Sequence, residues 1–429
     1  MTSSGRGDSP RLIAIMGSGE TSPTMRGVHR RLIDRYGAPP VPAAMLDTPF
    51  GFQMNADELT AKAVEFFRVS VQREINVAGF RSAEAIGSLA YENTLRILEA
   101  ARYVFAGPGS PTYALNQWMP SAIPELLKQK VTGGGCICFA SAAALTLGVL
   151  SVPVYEIYKV GNDVSWVEGL DLLGVAGIKA AVIPHYNNQE GGTHDTRYCY
   201  LGEQRLRVLE ELLPPDAFIL GVDEHTACVL DLDSGSFSVD GIGEVVIRKQ
   251  RGEQRFGRGT ASDLSELGAR TTGRFEPADA EWIGPAGSES GFPFSAEVAE
   301  ITRTFDSARQ SRDNERAADA LLALDALLWE WSRETFGTDE FDRARRKFRS
   351  MIADLGSDAH AASSDADERT ITPFVEALLE IRERARTQMR FEEADSIRTV
   401  LEKSGVQVRD DRDVTRWSLE PKSRPQKPL

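Results

Sequence analysis

Cysteine is scarce in this chain, with four in 429 residues. Their positions, Cys136, Cys138, Cys199 and Cys228, match no zinc-site spacing. Cys136, Cys138 and Cys228 lie in apolar, strand-like segments, which favours small buried hydrophobes. We therefore expect no metal site and no cofactor. A cytoplasmic location is the default for such a chain.

Long apolar runs are also missing, since none approaches the roughly 20 residues that cross a membrane. Residues 1–10 are polar and lack the apolar centre of a secretion signal, so we expect a disordered lead-in. The net charge of -14 argues against a dedicated surface for nucleic acid or an anionic membrane. We therefore expect no membrane partner.

Residues 133–144, GGGCICFASAAA, contain a serine between an apolar strand and a run of small residues that opens a helix. A sharp strand-to-helix turn of this kind lifts a serine hydroxyl out of the sheet, where backbone N–H groups can receive an oxyanion. Ser141 is therefore the candidate nucleophile. The alternative is a tightly packed serine at a strand–helix corner.

Two further apolar strands end on residues that suit acid–base catalysis. Within residues 182–186, VIPHY, an apolar strand ends on His185. Within residues 221–227, GVDEHTA, another ends on the carboxylate of Glu224. At the strand ends of one α/β sheet, His185 would be the base and Glu224 the group that orients it. Glu224 capping a loop is the alternative.

In this order, the three segments resemble the peptidase E and cyanophycinase family of serine peptidases. Residues 13–20, IAIMGSGE, and the Gly-rich residues 105–115, FAGPGSPTYAL, support the resemblance. It covers roughly residues 10–250 and implies a flavodoxin-like sheet with a Ser-His-Glu triad. It also implies an oxyanion hole made by the N–H groups of Gly109 and Ala142.

Two departures from the family pattern surround the serine. Family members carry Gly-x-Ser-Ala-Gly, whereas this chain has Phe139 and Ala143 at the glycine positions. Small residues flank such a serine because its backbone is strained and the neighbouring chain passes close by. Phe139 therefore favours the alternative of a catalytically inactive, hydrolase-like binding protein.

Several polar residues near these motifs are candidate substrate contacts. After His185 the chain continues with Tyr186 and then NNQEGGTHDTR instead of the family's Arg-rich stretch, which predicts a different substrate preference. His194 could bind substrate or replace His185 as base, and a solvated loop is the alternative for its neighbours. The candidates are Glu20, Ser110, His194, Asp195 and Arg197.

Alternating strands and helices predict an α/β fold with a doubly wound, mostly parallel, flavodoxin-like sheet, followed by a small helical C-terminal region. One helix is expected over residues 112–129. The predicted organisation is a lead-in (1–10), a hydrolase domain (11–250), a linker (251–294), a helical bundle (295–356), a second linker (357–370), a C-terminal domain (371–420) and a tail (421–429).

The C-terminal segment is similar to the end of cysteinyl-tRNA synthetases. The similarity rests on the RERAR helix at 382–386, the FEEADSIRTVL helix at 391–401 and a Gly-to-Trp hairpin at 405–417. The nucleotide-binding signatures of a synthetase are absent, so we expect no aminoacylation, and the tail implies a borrowed module.

This tail could contact tRNA, pack on its own catalytic domain or form a homodimer. Residues 371–429 carry 12 Lys and Arg against 11 Asp and Glu, without the basic excess of a strong phosphate-binding domain. An arginine stripe could still bind tRNA through Arg382, Arg384, Arg386, Arg390, Arg398 and Arg416.

The sequence thus predicts a serine hydrolase that cleaves a small peptide, isopeptide or amide through an acyl-enzyme. One alternative is an inactive hydrolase-like domain that binds tRNA or a protein partner. Another is a hydrolase of an aminoacyl or peptidyl group carried on tRNA, which the joining of the two segments suggests.

Overall fold

The computed structural model describes residues 9–189, 194–250, 252–268, 276–277, 293–331, 339–363, 368–410 and 415–419. Described residues up to 277 form one compact unit, and those from 293 onward form a second. The predicted lead-in, save residues 9 and 10, and the predicted tail lie outside the described residues. No helix in the described ranges is both long and apolar enough to cross a membrane.

The first unit is built from strands that alternate with helices and then pair as antiparallel hairpins. The first nine strands are β1 (Arg11–Met16), β2 (Ala43–Leu46), β3 (Asn76–Ala78), β4 (Tyr103–Ala106), β5 (Gly135–Ala140), β6 (Leu150–Ser151), β7 (Val167–Glu168), β8 (Ala180–Ile183) and β9 (Phe218–Val222). The next six are β10 (Thr226–Asp231), β11 (Ser236–Gly241), β12 (Val245–Lys249), β13 (Gly252–Phe256), β14 (Ala261–Asp263) and β15 (Glu276–Pro277).

The helices of the first unit cover the sheets between these strands. They are α1 (Arg26–Asp34), α2 (Ala56–Phe66), α3 (Leu89–Ala100), α4 (Pro111–Trp118), α5 (Ile123–Gly133), α6 (Ala142–Leu145) and α7 (Gly202–Glu211).

The strands divide between two sheets. The first has the order β14-β11-β10-β1-β5-β4-β2-β3, and the second β15-β13-β12-β9-β8-β6-β7. Strands β1, β5, β4, β2 and β3 are parallel neighbours, as are β6, β8 and β9, whereas β10 to β15 pair antiparallel. The predicted α/β class is confirmed, with two sheets where one was expected.

Parallel pairing fixes where the strand ends meet. β5 lies between β1 and β4, with Met16 beside Ala140 and Ala106 beside Phe139. In the second sheet, β8 runs parallel to β9, with Ile183 beside Gly221. Carboxyl ends of adjacent parallel strands share one edge of a sheet, so the segments that follow β1, β4 and β5 meet, as do those that follow β8 and β9.

Two sequence predictions differ from the structure of this unit. The single helix predicted over 112–129 is split into α4 and α5 because Pro120 has no backbone N–H to continue the helical hydrogen bonds, and Pro124 suits the start of a new helix. Residues 252–268, placed in a linker, instead form β13, which pairs with β12, and β14, which pairs with β11. Phe256 and Leu267 are buried in the main core, which ties this segment to the unit.

The second unit is helical. Its elements are α8 (Pro293–Ser311), α9 (Asn314–Trp331), α10 (Asp339–Ser363), α11 (Glu368–Thr387), α12 (Phe391–Lys403) and the hairpin β16 (Val406–Asp410) with β17 (Thr415–Leu419). One hydrophobic core joins all five helices to β16. The predicted division into a bundle and a separate C-terminal domain is therefore absent from the described core. Residues 357–363, placed in a linker, extend α10 because the segment is rich in alanine, the strongest helix former.

Candidate active site

Ser141 stands at the turn between β5 and α6 in a strained backbone conformation. Its φ is 50° and its ψ is -119°, a combination that non-glycine residues rarely adopt. The turn is held on both sides: the N–H of Ser141 donates to the carbonyl of Met16 at 3.1 Å, and the N–H of Ala143 to that of Gly107 at 3.1 Å. Strained residues kept in place by their surroundings cluster at active sites.

His185 links Ser141 to Glu224 across the two sheets. The Ser141 Oγ lies 2.9 Å from His185 Nε2, and His185 Nδ1 lies 2.7 Å from Glu224 Oε1. Because an ionised carboxylate only accepts, Nδ1–H donates to Glu224, which leaves Nε2 of the neutral ring to accept from the serine hydroxyl. The structure thus brings the three predicted residues together in the arrangement of a Ser-His-acid triad.

Two asparagines that follow His185 hold Glu224 in place. Asn188 Nδ2 donates to Glu224 Oε1 at 3.0 Å, and the N–H of Glu224 donates to Asn187 Oδ1 at 2.8 Å. Burial alone would raise the pKa of Glu224, but the hydrogen bonds and charge from His185, with the Asn188 bond, hold that pKa below its ordinary value. Glu224 is therefore ionised at neutral pH.

Neither asparagine was predicted from the sequence to hold Glu224. The segment after His185 indicated only a changed substrate preference. The feature that could have indicated this role is the pair of side-chain amides that comes soon after the expected base. Short polar side chains at such a position can reach the backbone and side chains of the neighbouring strand end.

The Gly-rich segment after β4 approaches the turn that follows β2. Gly109 has φ 135°, and a Cβ on it would lie 2.0 Å from the carbonyl oxygen of Pro49. The N–H of Ser110 donates to that carbonyl at 2.8 Å, and Ser110 Oγ accepts from the N–H of Tyr113 at 3.1 Å. Ser110 is therefore the N-cap of α4. Gly109 occupies a position that only glycine fits.

Ala142 begins α6, directly after Ser141. The first N–H groups of a helix have no acceptor within that helix and carry its positive dipole end. The N–H of Ala142 is thus suited to receive negative charge that develops beside Ser141 Oγ.

Phe139, the large residue at a family glycine position, is fully buried in the core of the first unit. Its ring centroid lies 5.7 Å from that of Trp118. Ala106 lies beside Phe139 in the sheet, and both residues belong to the same core. The strained turn at Ser141 is therefore present in a chain that carries a phenylalanine two residues before it.

Glu20 is buried after β1, on the same side of the sheet as the Gly-rich segment. Its Oε1 lies 3.4 Å from where a Cβ on Gly107 would stand. Burial raises the pKa of Glu20, while its own backbone N–H and the charge of His185 oppose that rise. His29 Nε2–H donates to the Glu20 carbonyl at 2.7 Å, so Nδ1 accepts from the Tyr103 hydroxyl at 2.6 Å.

Asp195 and Arg197 bind each other. Arg197 Nε and Nη2 lie 2.9 Å from the two carboxylate oxygens of Asp195, a bidentate pair. Asp195 also accepts from the N–H of Glu203 at 3.0 Å, in the first turn of α7. These side chains hold the loop onto a helix N-terminus. His194 is exposed and stacks on Tyr158, with ring centroids 6.3 Å apart, and it is His185 that contacts Ser141.

Within the described ranges, no group of three or more His, Cys, Asp or Glu side chains is arranged to hold a metal ion. All four cysteines are buried and unpaired by disulfides.

In the second unit, the arginines of the predicted stripe are largely joined to carboxylates. Arg382 lies 2.7 Å from Asp410, Arg384 lies 2.7 Å from Asp325, and Arg398 lies 2.9 Å from Glu402. Arg386 also approaches Asp410, and Arg390 pairs with Glu393. The ion pairs neutralise much of the positive charge that this surface could present to phosphates.

Comparison with known proteins finds a family match within the second unit. Residues 369–417 match the family described as the cysteinyl-tRNA ligase anticodon binding domain. A cysteine–tRNA ligase from Deinococcus radiodurans is 31% identical over 141 residues, which is 31% of this chain. The match spans 28% of that ligase, less than a third of its length. The predicted C-terminal resemblance is confirmed.

Two solved structures of peptidases are similar to this chain. One is the crystal structure of a peptidase from an acI-B1 Actinobacterium, with a TM-score of 0.49 and 19% identity, covering 60% of this chain and 98% of that one. The other is a putative peptidase E protein from Listeria monocytogenes, with a TM-score of 0.33 and 12% identity, covering 58% of this chain and 99% of that one.

Proposed function

We propose that this chain is a serine hydrolase that cleaves a small peptide, isopeptide or other amide through an acyl-enzyme. The observation that carries the proposal is the hydrogen-bonded line from Ser141 through His185 to Glu224, with both distances below 3 Å. A buried serine at a structural corner has no need of a base and an oriented carboxylate in this order.

Acylation begins when Ser141 Oγ attacks the amide carbon of the substrate. The Oγ–C bond forms while the hydroxyl proton moves to His185 Nε2, and Glu224 stabilises the imidazolium. The carbonyl oxygen becomes an oxyanion and lies against the N–H groups of Gly109 and Ala142, each worth about 3 kcal/mol to the transition state. His185 then protonates the amine, the C–N bond breaks, and an ester on Ser141 remains.

Deacylation repeats the sequence with water. His185 takes a proton from the water as its oxygen attacks the ester carbon. The second tetrahedral intermediate collapses, Ser141 Oγ leaves and regains its proton from His185, and the acid product is released.

The test is hydrolysis by the full chain over a panel of α- and β-aspartyl dipeptides, other dipeptides and aminoacyl-tRNA. Wild type should turn over at least one class, and Ser141→Ala should lose that turnover by a factor of roughly 10³ or more. Turnover that survives in Ser141→Ala would refute the proposal, as would its absence across substrates of every class in the panel.

A second candidate function is tRNA contact by the second unit, which the match to an anticodon-binding domain favours. The ion pairs of Arg382, Arg384 and Arg398 oppose it, because paired guanidinium groups release few counterions on binding phosphates. A hydrolase acting on tRNA-linked aminoacyl or peptidyl groups would unite both units.

Filter binding of unfractionated tRNA to the full chain at 50 and 200 mM salt tests this candidate. Retention at 200 mM that is lost when Arg416 and Arg398 are both changed to Glu would support it. Equal retention of tRNA by the double variant, or none by wild type even at 50 mM, would exclude it.

A further inference from the structure

A row of aromatic rings leads away from the base. The Tyr200 ring centroid lies 6.1 Å from that of His185, Tyr158 lies 5.4 Å from Tyr200, and His194 lies 6.3 Å from Tyr158. Tyr158 stands on a π-helical turn, Glu156–Val160, far in sequence from the loop that carries Tyr200. Rings at these separations form a continuous aromatic surface.

The backbone is strained at Tyr200 and at the two residues before it. Tyr198, Cys199 and Tyr200 have φ of 60°, 56° and 66°, three successive non-glycine residues in the left-handed region. Non-glycine residues rarely adopt this conformation. Hydrogen bonds to the base segment hold the turn: the N–H of Tyr198 donates to the Tyr186 carbonyl at 3.0 Å, and that of Cys199 to the His185 carbonyl at 3.2 Å.

A cavity of about 880 Å³ adjoins the outer part of this row, with Tyr158, His194, Val164 and Leu201 among its lining residues. Its volume is in the range of small-molecule sites. Tyr200 contacts both Tyr158 and His185, so it lies between the cavity and the base.

The charges around the cavity disfavour a cationic occupant. Of its acidic lining residues, Asp195 is held by Arg197, and Glu203 is held by Arg207 and Arg248. A cationic side chain would also meet Arg205, which lines the same cavity. A neutral aromatic ring gains stacking on tyrosine faces without facing a like charge.

We propose that Tyr200 and Tyr158 form a specificity subsite that binds an aromatic side chain next to the scissile amide. This inference rests on the proposed hydrolase function for the position of the scissile bond. The ring of the substrate stacks along the row and extends into the cavity, while Tyr200 fixes the amide beside His185.

Binding to the inactive Ser141→Ala protein tests the subsite without turnover. Calorimetry is run with Phe-Ala and Ala-Phe and with their Leu and Lys counterparts. We expect a Phe peptide to bind roughly three- to tenfold tighter than its Leu counterpart. Adding Tyr158→Leu or Tyr200→Leu should abolish that preference, and the matched Tyr158→Phe and Tyr200→Phe variants, which keep the ring, should retain it.

Equal binding of Phe, Leu and Lys peptides would overturn the subsite, as would a preference that survives in both leucine variants. The result is separable from the proposed function. A phenylalanine preference in a protein without turnover would uphold the subsite and refute the hydrolase, whereas Ser141-dependent turnover without the preference would do the reverse.

Discussion

Asn188 Nδ2 and His185 Nδ1 both donate to the same oxygen of Glu224, Oε1, at 3.0 and 2.7 Å. The carboxylate is thereby fixed by a residue three positions after the base that it orients. A hydrogen bond to a charged group typically contributes about 1.5–3 kcal/mol. The position of His185 therefore depends on the amide of Asn188 as well as on Glu224.

Replacing Asn188 by Ala should lower kcat/KM roughly tenfold or more, because Glu224 loses a donor that keeps it ionised and oriented. The measurement is kcat/KM on the best substrate of the panel. In a His185→Ala background the same change should have little further effect, since Asn188 acts through the imidazole. Additive losses in the two backgrounds would contradict this role.

The strain at Ser141 predicts an unusual order of stability. Glycine in place of alanine usually destabilises a folded chain, but a φ of 50° with a ψ of -119° is easily adopted only by glycine. We expect Ser141→Gly to be more stable than Ser141→Ala by about 1 kcal/mol in urea unfolding. Equal stability, or a more stable alanine variant, would show that the turn is unstrained.

Gly109→Ala should abolish most activity and destabilise the first unit, because the new Cβ would lie 2.0 Å from the Pro49 carbonyl oxygen. The matched control is Gly87→Ala. Gly87 also has a positive φ, of 85°, but nothing lies within 4 Å of its Cβ position. Activity and urea midpoints of both variants are compared, and similar effects at the two sites would argue against close packing at Gly109.

Asp223, next to Glu224, predicts a pH dependence of stability. Burial and the charges of Glu244 and Glu224 raise the pKa of Asp223 to about 7, although the hydrogen bond from the Glu244 N–H lowers it. Between pH 4 and 7 the unfolded carboxyl is ionised while the folded one holds its proton, so this residue lowers the free energy of unfolding as pH rises. Above pH 7 the carboxyl is ionised in both states, so this residue causes no further change in the free energy of unfolding.

Asp223→Asn removes this titration. Relative to wild type, its free energy of unfolding should increase by roughly 2 kcal/mol between pH 5 and pH 8. Both proteins are unfolded in urea at the two pH values. The difference between their free energies of unfolding at each pH cancels the contribution of all other groups. A difference between them that does not change with pH would show that Asp223 titrates normally.

Much of the site follows from local sequence. Ser141, His185 and Glu224 each follow an apolar strand, and the ends of β8 and β9, which precede His185 and Glu224, share one edge of the second sheet. Ser110 before Pro111 is a recognisable helix start, and the structure places it as an N-cap. These features depend on neighbours within a few residues.

The rest depends on contacts distant in sequence. Phe139 is fully buried, with Trp118 of α4 near its ring and Ala106 of β4 beside it in the sheet, and no local pattern indicates that environment. Arg384 is paired with Asp325 of α9, 59 residues away, so the predicted stripe of free charge could not be judged from the tail alone. The division into two sheets likewise depends on distant pairing. β10, which follows β9 in the chain, pairs with β1 of the first sheet, whereas β12 pairs with β9 in the second.

The most direct test of the central claim is the mass of the intact protein after incubation with a fluorophosphonate probe. An activated serine forms a bond from Oγ to phosphorus and releases fluoride, which needs a base but no knowledge of the substrate. We predict one adduct on Ser141 in wild type, a much slower one in His185→Ala and none in Ser141→Ala. An unmodified wild type, or an adduct that persists in Ser141→Ala, would contradict the account.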